Sequence, residues 1–243
     1  MTTDNRPPEA ASRLRAATMW GPGVGEVWWW AIPLATAAIV MAVATFAPAF
    51  YETHVLPEHV GYLERLHFLM PAAGAVICFK LLTMEQVRRL TYLRAAIIVF
   101  AIACIYIAGE EESWGQHLFQ WQTPEAWSQH NRQDETNLHN TSYVFNQLPQ
   151  LILEIAIVAG GVIAPFVTRR HGPVGGDLIA FLTPPFAMLP VSLGAIAFKG
   201  TDRLQKNSLI SEIIARPSEV TETFYYMFIL FYLIILYRRV IRL

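Results

Sequence analysis

The chain has 243 residues, of which 54% are hydrophobic and 15% are charged, and its formal net charge is −1. In soluble domains about a quarter of the residues are charged, so this composition argues against a soluble fold. Neither sign of charge is in large excess, and nothing therefore suggests a nucleic-acid partner. The apolar residues occur in blocks about as long as the ~20 residues with which a helix crosses a hydrocarbon core. These features predict a multi-pass membrane protein.

The amino-terminal segment is polar and contains Arg6, Arg13 and Arg15 among proline, alanine and serine. It resembles the start of a secretory signal, but the apolar block that follows is too long for a signal peptide and has no clear small-residue cleavage site. We therefore predict a disordered cytoplasmic tail over residues 1–26 and one membrane domain over residues 27–243.

Six apolar blocks predict an all-α fold with about six transmembrane helices, because backbone groups in lipid must be hydrogen-bonded within their own segment. The predicted spans are Val27–Phe50, His67–Leu82, Tyr92–Gly109, Val144–Val167, Leu178–Phe198 and Thr223–Tyr237. Pro184, Pro185 and Pro190 should bend or break the fifth span.

The distribution of arginine and lysine predicts the orientation, because these residues accumulate in cytoplasmic loops. Most of the 18 basic residues fall on the cytoplasmic side if both termini lie inside the cell. In this N-in, C-in arrangement, a long structured outer loop joins the third and fourth helices. Every histidine except His171 then lies on the outer side. Histidine is suited to proton transfer and metal ligation near neutral pH.

The outer loop begins with a run of acidic residues directly after an apolar block. The run is Gly109-Glu110-Glu111-Glu112-Ser113-Trp114-Gly115-Gln116-His117. Carboxylates at the carboxyl end of a helix oppose its macrodipole, which favours cations there. If the helix continues past the membrane surface, Glu110, Ser113 and His117 share one face. The alternative is that the acids only mark the end of the span in water.

A second polar run precedes the fourth span. It reads Asp134-Glu135-Thr136-Asn137-Leu138-His139-Asn140. On a helix, Glu135 and His139 are four residues apart and share a face, a spacing that can chelate one metal ion. A zinc or iron site built from Glu135, His139 and Glu110, or a neighbouring carboxylate, is compatible with this pattern. The alternative is that the run only caps the next helix.

Two helices are predicted within the outer connections. Thr123 as a helix cap and Pro124 at the first helical position indicate a short surface helix. In the connection before the last span, apolar and polar residues alternate in helical register from Leu204 to Ile214, which predicts a helix along the membrane interface.

Three further acidic residues lie in or near the apolar blocks. Glu219 and Glu222 sit near the start of the last span, where the helix dipole favours acids. The same topology brings them to the outer side, with the two polar runs. Glu154 lies within the fourth span, where a charge is costly. It is expected to be protonated or to pair with Lys80 or a polar neighbour.

Parts of the outer loop resemble a family of bacterial integral membrane proteins. The run from Gly109 to Gln116, the Thr123-Pro124-Glu125 step and the segment from Glu135 to Asn140 match the family pattern Gly-Glu-Glu-Ile-Ser-Trp-Gly-Gln-Arg, Thr-Pro-Glu and Glu-x-Asn-Leu-His-Asn. The chain departs at Glu112, where the pattern has isoleucine, and at His117, where it has arginine. The resemblance implies a bacterial cytoplasmic membrane protein with a functional outer loop, and favours Glu110 and Glu111 over Glu112; it supplies no substrate.

The leading functional hypothesis is an enzyme that acts on a lipid or another amphiphile at the outer membrane interface. The residues expected to bind a metal or to share acid and base roles are Glu110, Glu111, Glu135 and His139. The residues expected to position the substrate are Trp114, Gln116, Asn137 and Asn140.

Two alternatives stay open. One is a structural or assembly subunit, in which the outer loop braces the helix ends against a membrane protein partner or a second copy of the chain. The other is a small transporter or proton-coupled carrier that uses Glu154 and the proline-broken fifth span. Membrane lipids are expected partners in every case.

Overall fold

The computed structural model describes residues 27–58, 60–131, 133–172, 176–204 and 214–243. All regular secondary structure within these ranges is helical. The predicted tail over residues 1–26 lies outside the described residues, as does most of the predicted interface helix, over residues 205–213.

Six long helices organise the described part of the chain. They are α1 (Trp28–Phe46), α2 (Tyr62–Thr83), α3 (Thr91–Glu111), α4 (Tyr143–His171), α5 (Leu189–Arg203) and α6 (Pro217–Val240). Within the described ranges, all of these except α5 are long and apolar enough to cross a membrane. The helical fold and the five apolar helices fit a multi-pass membrane protein.

Shorter helical segments connect these elements. They are Pro48–Phe50, Tyr51–Val55, Glu85–Arg89, Ser113–Gly115, Gln116–Phe119, Glu125–Ser128, Asp177–Leu182 and Phe186–Met188. Tyr51–Val55 is π-helical, as is the segment Ile157–Ile163 inside α4. The predicted surface helix therefore exists, but it begins at Glu125, and Pro124 is its cap rather than its first residue.

Two helices begin earlier than their apolar blocks. α2 begins at Tyr62 rather than His67, and α6 begins at Pro217 rather than Thr223. The added turns contain charged residues, and hydropathy marks only the part of a helix that suits hydrocarbon. The extension places Glu64 on a regular helix, within a turn of His67.

α6 is the central helix of the bundle. Within its apolar window, 72% of the residues are buried, against 17–39% for the other four apolar helices. α2 and α5 pack directly against it. Gly194 of α5 lies so close to the Phe224 ring that a side chain at this position would overlap the ring. Such small residues allow helix backbones to approach closely in a membrane.

The fifth predicted span is broken, as its prolines predict. Asp177–Leu182 and α5 are separate helices, and the chain between them is extended at Thr183. The buried guanidinium of Arg239 donates to the carbonyl oxygens of Phe181 at 2.5 Å and Thr183 at 2.7 Å. This contact replaces hydrogen bonds that the break removes from the helix.

One end of the bundle is rich in polar groups. α2 and α6 begin there and α3 ends there, and these helices bring Glu64, Glu111 and Glu219 to the same cavity. We call this end, defined by those three residues, the polar end. Which side of a membrane it faces stays a prediction.

Candidate functional site

The loop that follows α3 turns back over the end of that helix. α3 ends at Glu111, and the next turn, Ser113–Gly115, has left-handed backbone at all three residues, with φ of 45°, 56° and 98°. Glu110, Ser113 and His117 would share a helix face only if α3 continued past Glu111, and it does not. Gly115 supplies the conformation that a side chain would disfavour most at this point.

Glu110 holds the loop by its carboxylate. Its Oε2 atom accepts hydrogen bonds from the backbone amides of Leu138 at 2.7 Å and His139 at 2.8 Å, and its Oε1 atom accepts one from the Trp114 indole at 2.7 Å. The Nδ1 atom of His139 lies 3.3 Å from the same carboxylate. The Trp114 ring packs against Gly109, where an added Cβ would stand 2.8 Å from the ring. These contacts account for the spacing of the Gly-Glu-x-x-x-Trp motif.

Glu135 is also buried, and it joins the loop to the turn after α3. Its Oε2 atom accepts hydrogen bonds from the Ser113 hydroxyl at 2.9 Å, from the Asn137 amide and, at 3.2 Å, from the Asn140 amide. The His117 Nε2 atom lies 3.7 Å from Oε1. Glu135 and Asn137 are 6% and 0% exposed, respectively. A buried carboxylate with this many donors is well satisfied.

The segment that contains Glu135 and His139 is not helical. The Asn131 side chain accepts from the amides of Gln133 at 3.0 Å and Glu135 at 3.1 Å, and Asp134 has a left-handed φ of 58°. This turn stops a helix from forming. The shared face that Glu135 and His139 would have on a helix is therefore not formed.

Gln116 ties the two ends of the loop together. Its side-chain oxygen accepts a hydrogen bond from the backbone N–H of Thr136 at 2.7 Å, and its side-chain NH2 group donates to the Thr123 hydroxyl at 2.8 Å. Trp114 thus contacts Glu110 at the end of α3, whereas Gln116 and Asn137 contact other parts of the loop. Their proposed role in substrate positioning stays a prediction.

A polar cavity of about 240 Å³ lies beneath this loop. The predicted acid, base or metal residues Glu110, Glu111, Glu135 and His139 all line it, as does Asn140. Carboxylates that arrive on other elements line the same cavity. They are Glu58, Glu64, Glu219 and Glu222.

His67 is fully buried at the edge of this carboxylate cluster. Its Nε2 atom lies 3.0 Å from the Glu219 carbonyl oxygen and 2.9 Å from the Thr223 hydroxyl. Its Nδ1 atom has no hydrogen-bond partner and lies 3.8 Å from a Glu111 carboxylate oxygen and 3.9 Å from a Glu219 carboxylate oxygen. A buried ring nitrogen without a partner calls for an explanation.

Three of the carboxylates around His67 are each oriented by another side chain. The Tyr226 hydroxyl donates to Glu111 at 2.6 Å, the Gln150 amide to Glu222 at 3.3 Å, and Arg216 to Glu219 at 2.7 Å. Each contact involves only one carboxylate oxygen. The site is therefore held in place by neighbours on α4 and α6 and by the residue that precedes α6.

The carboxylate cluster also affects the residues next to it, Arg216 and Tyr51. Arg216 also lies 3.2 Å from Glu58 and donates to the Leu56 carbonyl at 3.1 Å. Burial, followed by the nearby Glu219 carboxylate, raises the pKa of Tyr51 to about 12, although Arg216 opposes the shift.

Two sets of potential metal ligands occur among the described residues, and both include His67. The ligand atoms of Glu64, His67 and Glu111 lie within 4.8 Å of one another, as do those of His67, Glu219 and Glu222. The predicted set of Glu110, Glu135 and His139 is not among them. That set stays a prediction, and the hydrogen bonds described above occupy its two carboxylates.

Glu64 and His67 were missed in the sequence analysis. The signal was present, because Glu64-Arg65-Leu66-His67 has the Glu-x-x-His spacing by which helical carboxylate bundles hold metal ions. Glu219 and Glu222 have the same three-residue spacing on α6.

Glu154 pairs with residues other than the predicted Lys80. Its carboxylate lies 3.3 Å from Lys199 and 2.6 Å from Arg203, both on α5, and accepts from the Tyr225 hydroxyl at 3.0 Å. The proline break makes α5 a separate helix, which packs beside α4. Glu154 is therefore neutralised by local partners.

Fold and site together define a multi-pass helical membrane protein with a carboxylate-rich cavity at one end. No protein-family model matches the chain, and no curated protein or solved structure shows significant similarity to it. The resemblance of the outer loop to a bacterial membrane protein family stays a prediction.

Proposed function

We propose that this protein is an integral membrane enzyme that acts on a lipid or another amphiphile at the non-cytoplasmic membrane interface. The observation that carries the proposal is the cavity at the polar end, where carboxylates from three helices face the buried His67. Closely spaced, partly buried ionisable groups cost free energy, and they are concentrated at functional sites.

The cavity has the composition that an amphiphile requires. Its lining combines the polar residues Glu111 and His139 with the apolar residues Ile107, Phe145 and Pro149 from α3 and α4. Phe145 is also exposed. A polar headgroup can occupy the carboxylate side while an apolar chain follows α4 toward lipid.

The reaction class favoured by these groups is acid–base chemistry such as hydrolysis. Carboxyl groups this close together do not all ionise in the absence of a cation, so protonated and ionised members coexist. An ionised member takes a proton from water as the water oxygen bonds to the substrate. A protonated member gives its proton to the leaving oxygen as the scissile bond breaks. His139 is a proposed acid–base residue, and Glu111 is proposed either to share that role or to bind a metal ion that serves the reaction.

A lipid turnover assay tests this proposal. Purified protein in vesicles of bacterial lipid extract is expected to generate new products detectable by mass spectrometry. The Glu111→Gln variant should lose that activity, whereas Glu154→Gln, which alters an ion pair outside the cavity, should retain it. Loss of function in Glu154→Gln together with full function in Glu111→Gln would contradict the proposal and favour the proton-coupled carrier.

A second candidate function is a structural or assembly subunit. The hydrogen bonds of Glu110 and Glu135 favour it, because they hold the outer loop in one shape. A rigid loop of this kind can present a surface to a membrane protein partner or to a second copy of the chain. Purification in mild detergent tests the idea: a stoichiometric partner or a stable homo-oligomer, with no lipid turnover, would replace the enzyme proposal.

A further inference from the structure

We infer that His67 and the carboxylates of Glu64, Glu111, Glu219 and Glu222 form a binding site for a divalent transition metal ion at the base of the polar cavity. The role of the ion rests on the proposed function, because the ion would take part in the reaction in the same cavity. Binding itself requires no reaction. The ligand set differs from the one predicted from the outer-loop motifs, since His67 and three of its four carboxylates lie outside those motifs.

The tautomer of His67 is the first argument. A carbonyl oxygen can only accept a hydrogen bond, so the Nε2 atom that lies 3.0 Å from the Glu219 carbonyl is the protonated nitrogen. In a neutral imidazole, the Nδ1 atom then carries a lone pair. This lone pair is buried, has no hydrogen-bond donor, and faces two carboxylates at 3.8 and 3.9 Å. A cation bound at this point would accept the lone pair of Nδ1 and attract the negative charges of the two carboxylates.

The surroundings of His67 are those of a metal-ligating histidine. Such residues usually donate their second ring N–H to a backbone carbonyl or a carboxylate, which fixes the tautomer and the ring orientation. Here the Glu219 carbonyl is the acceptor, and the Thr223 hydroxyl lies 2.9 Å from the same nitrogen. The Tyr226 ring contacts the imidazole edge-on at 5.4 Å between centroids, which limits its rotation.

The distances between the ligand atoms suit an ion. Two ligands that each lie about 2.0–2.2 Å from a metal are separated by about 3.0–4.2 Å, depending on the angle between them. The separations of the His67 Nδ1 atom from Glu111 and Glu219 fall within that range. Glu64 and Glu222 complete two triads whose ligand atoms lie within 4.8 Å of one another.

Ligand type determines the class of ion. One imidazole nitrogen with several carboxylates suits Mn²⁺, Fe²⁺ or Zn²⁺, whereas a site with oxygen ligands alone would suit Mg²⁺ or Ca²⁺. Four carboxylates lie around His67, and Arg216 forms an ion pair with one of them, Glu219. A dication bound between them lowers the mutual repulsion of the carboxylates.

Metal binding by the purified full chain tests the inference. After removal of metal by a chelator, the protein in detergent is titrated with Mn²⁺ and followed by electron paramagnetic resonance, and with Co²⁺ and followed by visible absorption. The wild type is expected to bind either ion near stoichiometrically at neutral pH. His67→Gln and Glu111→Gln should lose this binding, and Thr223→Val should weaken it by about 10–100-fold, because it removes a hydroxyl that contacts the ligand rather than the ion.

The controls are His139→Ala and Glu135→Gln, which alter outer-loop residues and should bind metal as the wild type does. Glu111→Gln is nearly isosteric, so it tests the site even if His67→Gln does not fold. The inference is overturned if the wild type binds neither ion, if both His67→Gln and Glu111→Gln bind as the wild type does, or if only the outer-loop variants lose binding. Metal binding without lipid turnover would support this site and discard the enzyme proposal alone.

Discussion

Two adjacent residues of the same motif have different surroundings. Glu110 faces the loop and bonds to the amides of Leu138 and His139, whereas Glu111 faces α6 and accepts from Tyr226. Consecutive helical residues point about 100° apart, since a turn takes 3.6 residues. A pair of glutamates at a helix end can therefore stabilise a loop with one member and contribute to a cavity with the other.

Substitution at each position distinguishes these roles. Glu110→Gln removes the charge that the loop amides contact and should destabilise the folded loop by about 1.5–3 kcal/mol. Hydrogen exchange at the Leu138 and His139 amides should accelerate. Glu111→Gln should leave this exchange unchanged while it removes metal binding. Equal exchange rates in the two variants would show that Glu110 does not hold the loop.

The glycine before these acids also has a specific role. Gly109→Ala places a methyl group against the Trp114 ring, at a separation of 2.8 Å without adjustment, and should lower the free energy of unfolding by about 1–3 kcal/mol. Gly200→Ala on α5 is the matched control, because nothing lies within 4 Å of its added Cβ. Thermal unfolding in detergent should show a lower midpoint for the first variant only. A midpoint unchanged in Gly109→Ala would disprove the close packing of Trp114.

The sequence predicted some of these residues and not others. The acidic run, Glu135 and His139 could be identified because they belong to segments rich in polar residues that lie next to apolar blocks. His67 was assigned to an apolar span, and its contacts with Glu219 and Thr223 join positions far apart in the chain. Periodicity within one helix cannot reveal which residue of another helix a side chain will meet.

At the level of elements, the broken fifth span depends on one arginine of α6. The prolines predict where the helix stops, because they lack an N–H and clash with the preceding turn. They do not predict that Arg239 satisfies the freed carbonyls of Phe181 and Thr183, or that the Tyr232 hydroxyl donates to the Leu182 carbonyl at 2.7 Å. Similarly, hydropathy located α2 and α6 but not their polar first turns.

Removal of that arginine should destabilise the whole fold. Arg239→Leu leaves the buried Phe181 carbonyl and the partly buried Thr183 carbonyl without this donor, at a cost of about 1–3 kcal/mol for a buried group. Its melting temperature should fall well below that of Arg242→Gln, in which an exposed side chain that contacts its own helix is changed. If the two variants melt together, Arg239 does not support the break.

At the level of the whole molecule, the alternation of helix direction brings the polar ends of α2, α3 and α6 together. The prediction from basic residues is that this end faces away from the cytoplasm. The loop after α2 carries Arg88 and Arg89 and lies at the opposite end of the bundle from the acidic groups. The predicted orientation accounts for this separation of charge.

Cysteine labelling in intact cells tests this orientation. Gln129→Cys, in the exposed outer loop, should react with a membrane-impermeant maleimide. Arg88→Cys should react only after the membrane is permeabilised. Cys78 and Cys104 are buried and should stay silent in both variants. The opposite labelling pattern would place the polar end in the cytoplasm.

X-ray absorption at the edge of the bound metal addresses the central claim most directly, because it reports the atoms around the ion without any assumption about substrate. Protein loaded with a single equivalent of Zn²⁺ or Mn²⁺ should show one imidazole nitrogen and several carboxylate oxygens at about 2.0–2.2 Å. The imidazole contribution should persist in His139→Ala, whereas His67→Gln should retain no protein-bound ion with this first shell. A first shell of water oxygens alone, or an imidazole signal that depends on His139 rather than His67, would contradict the account.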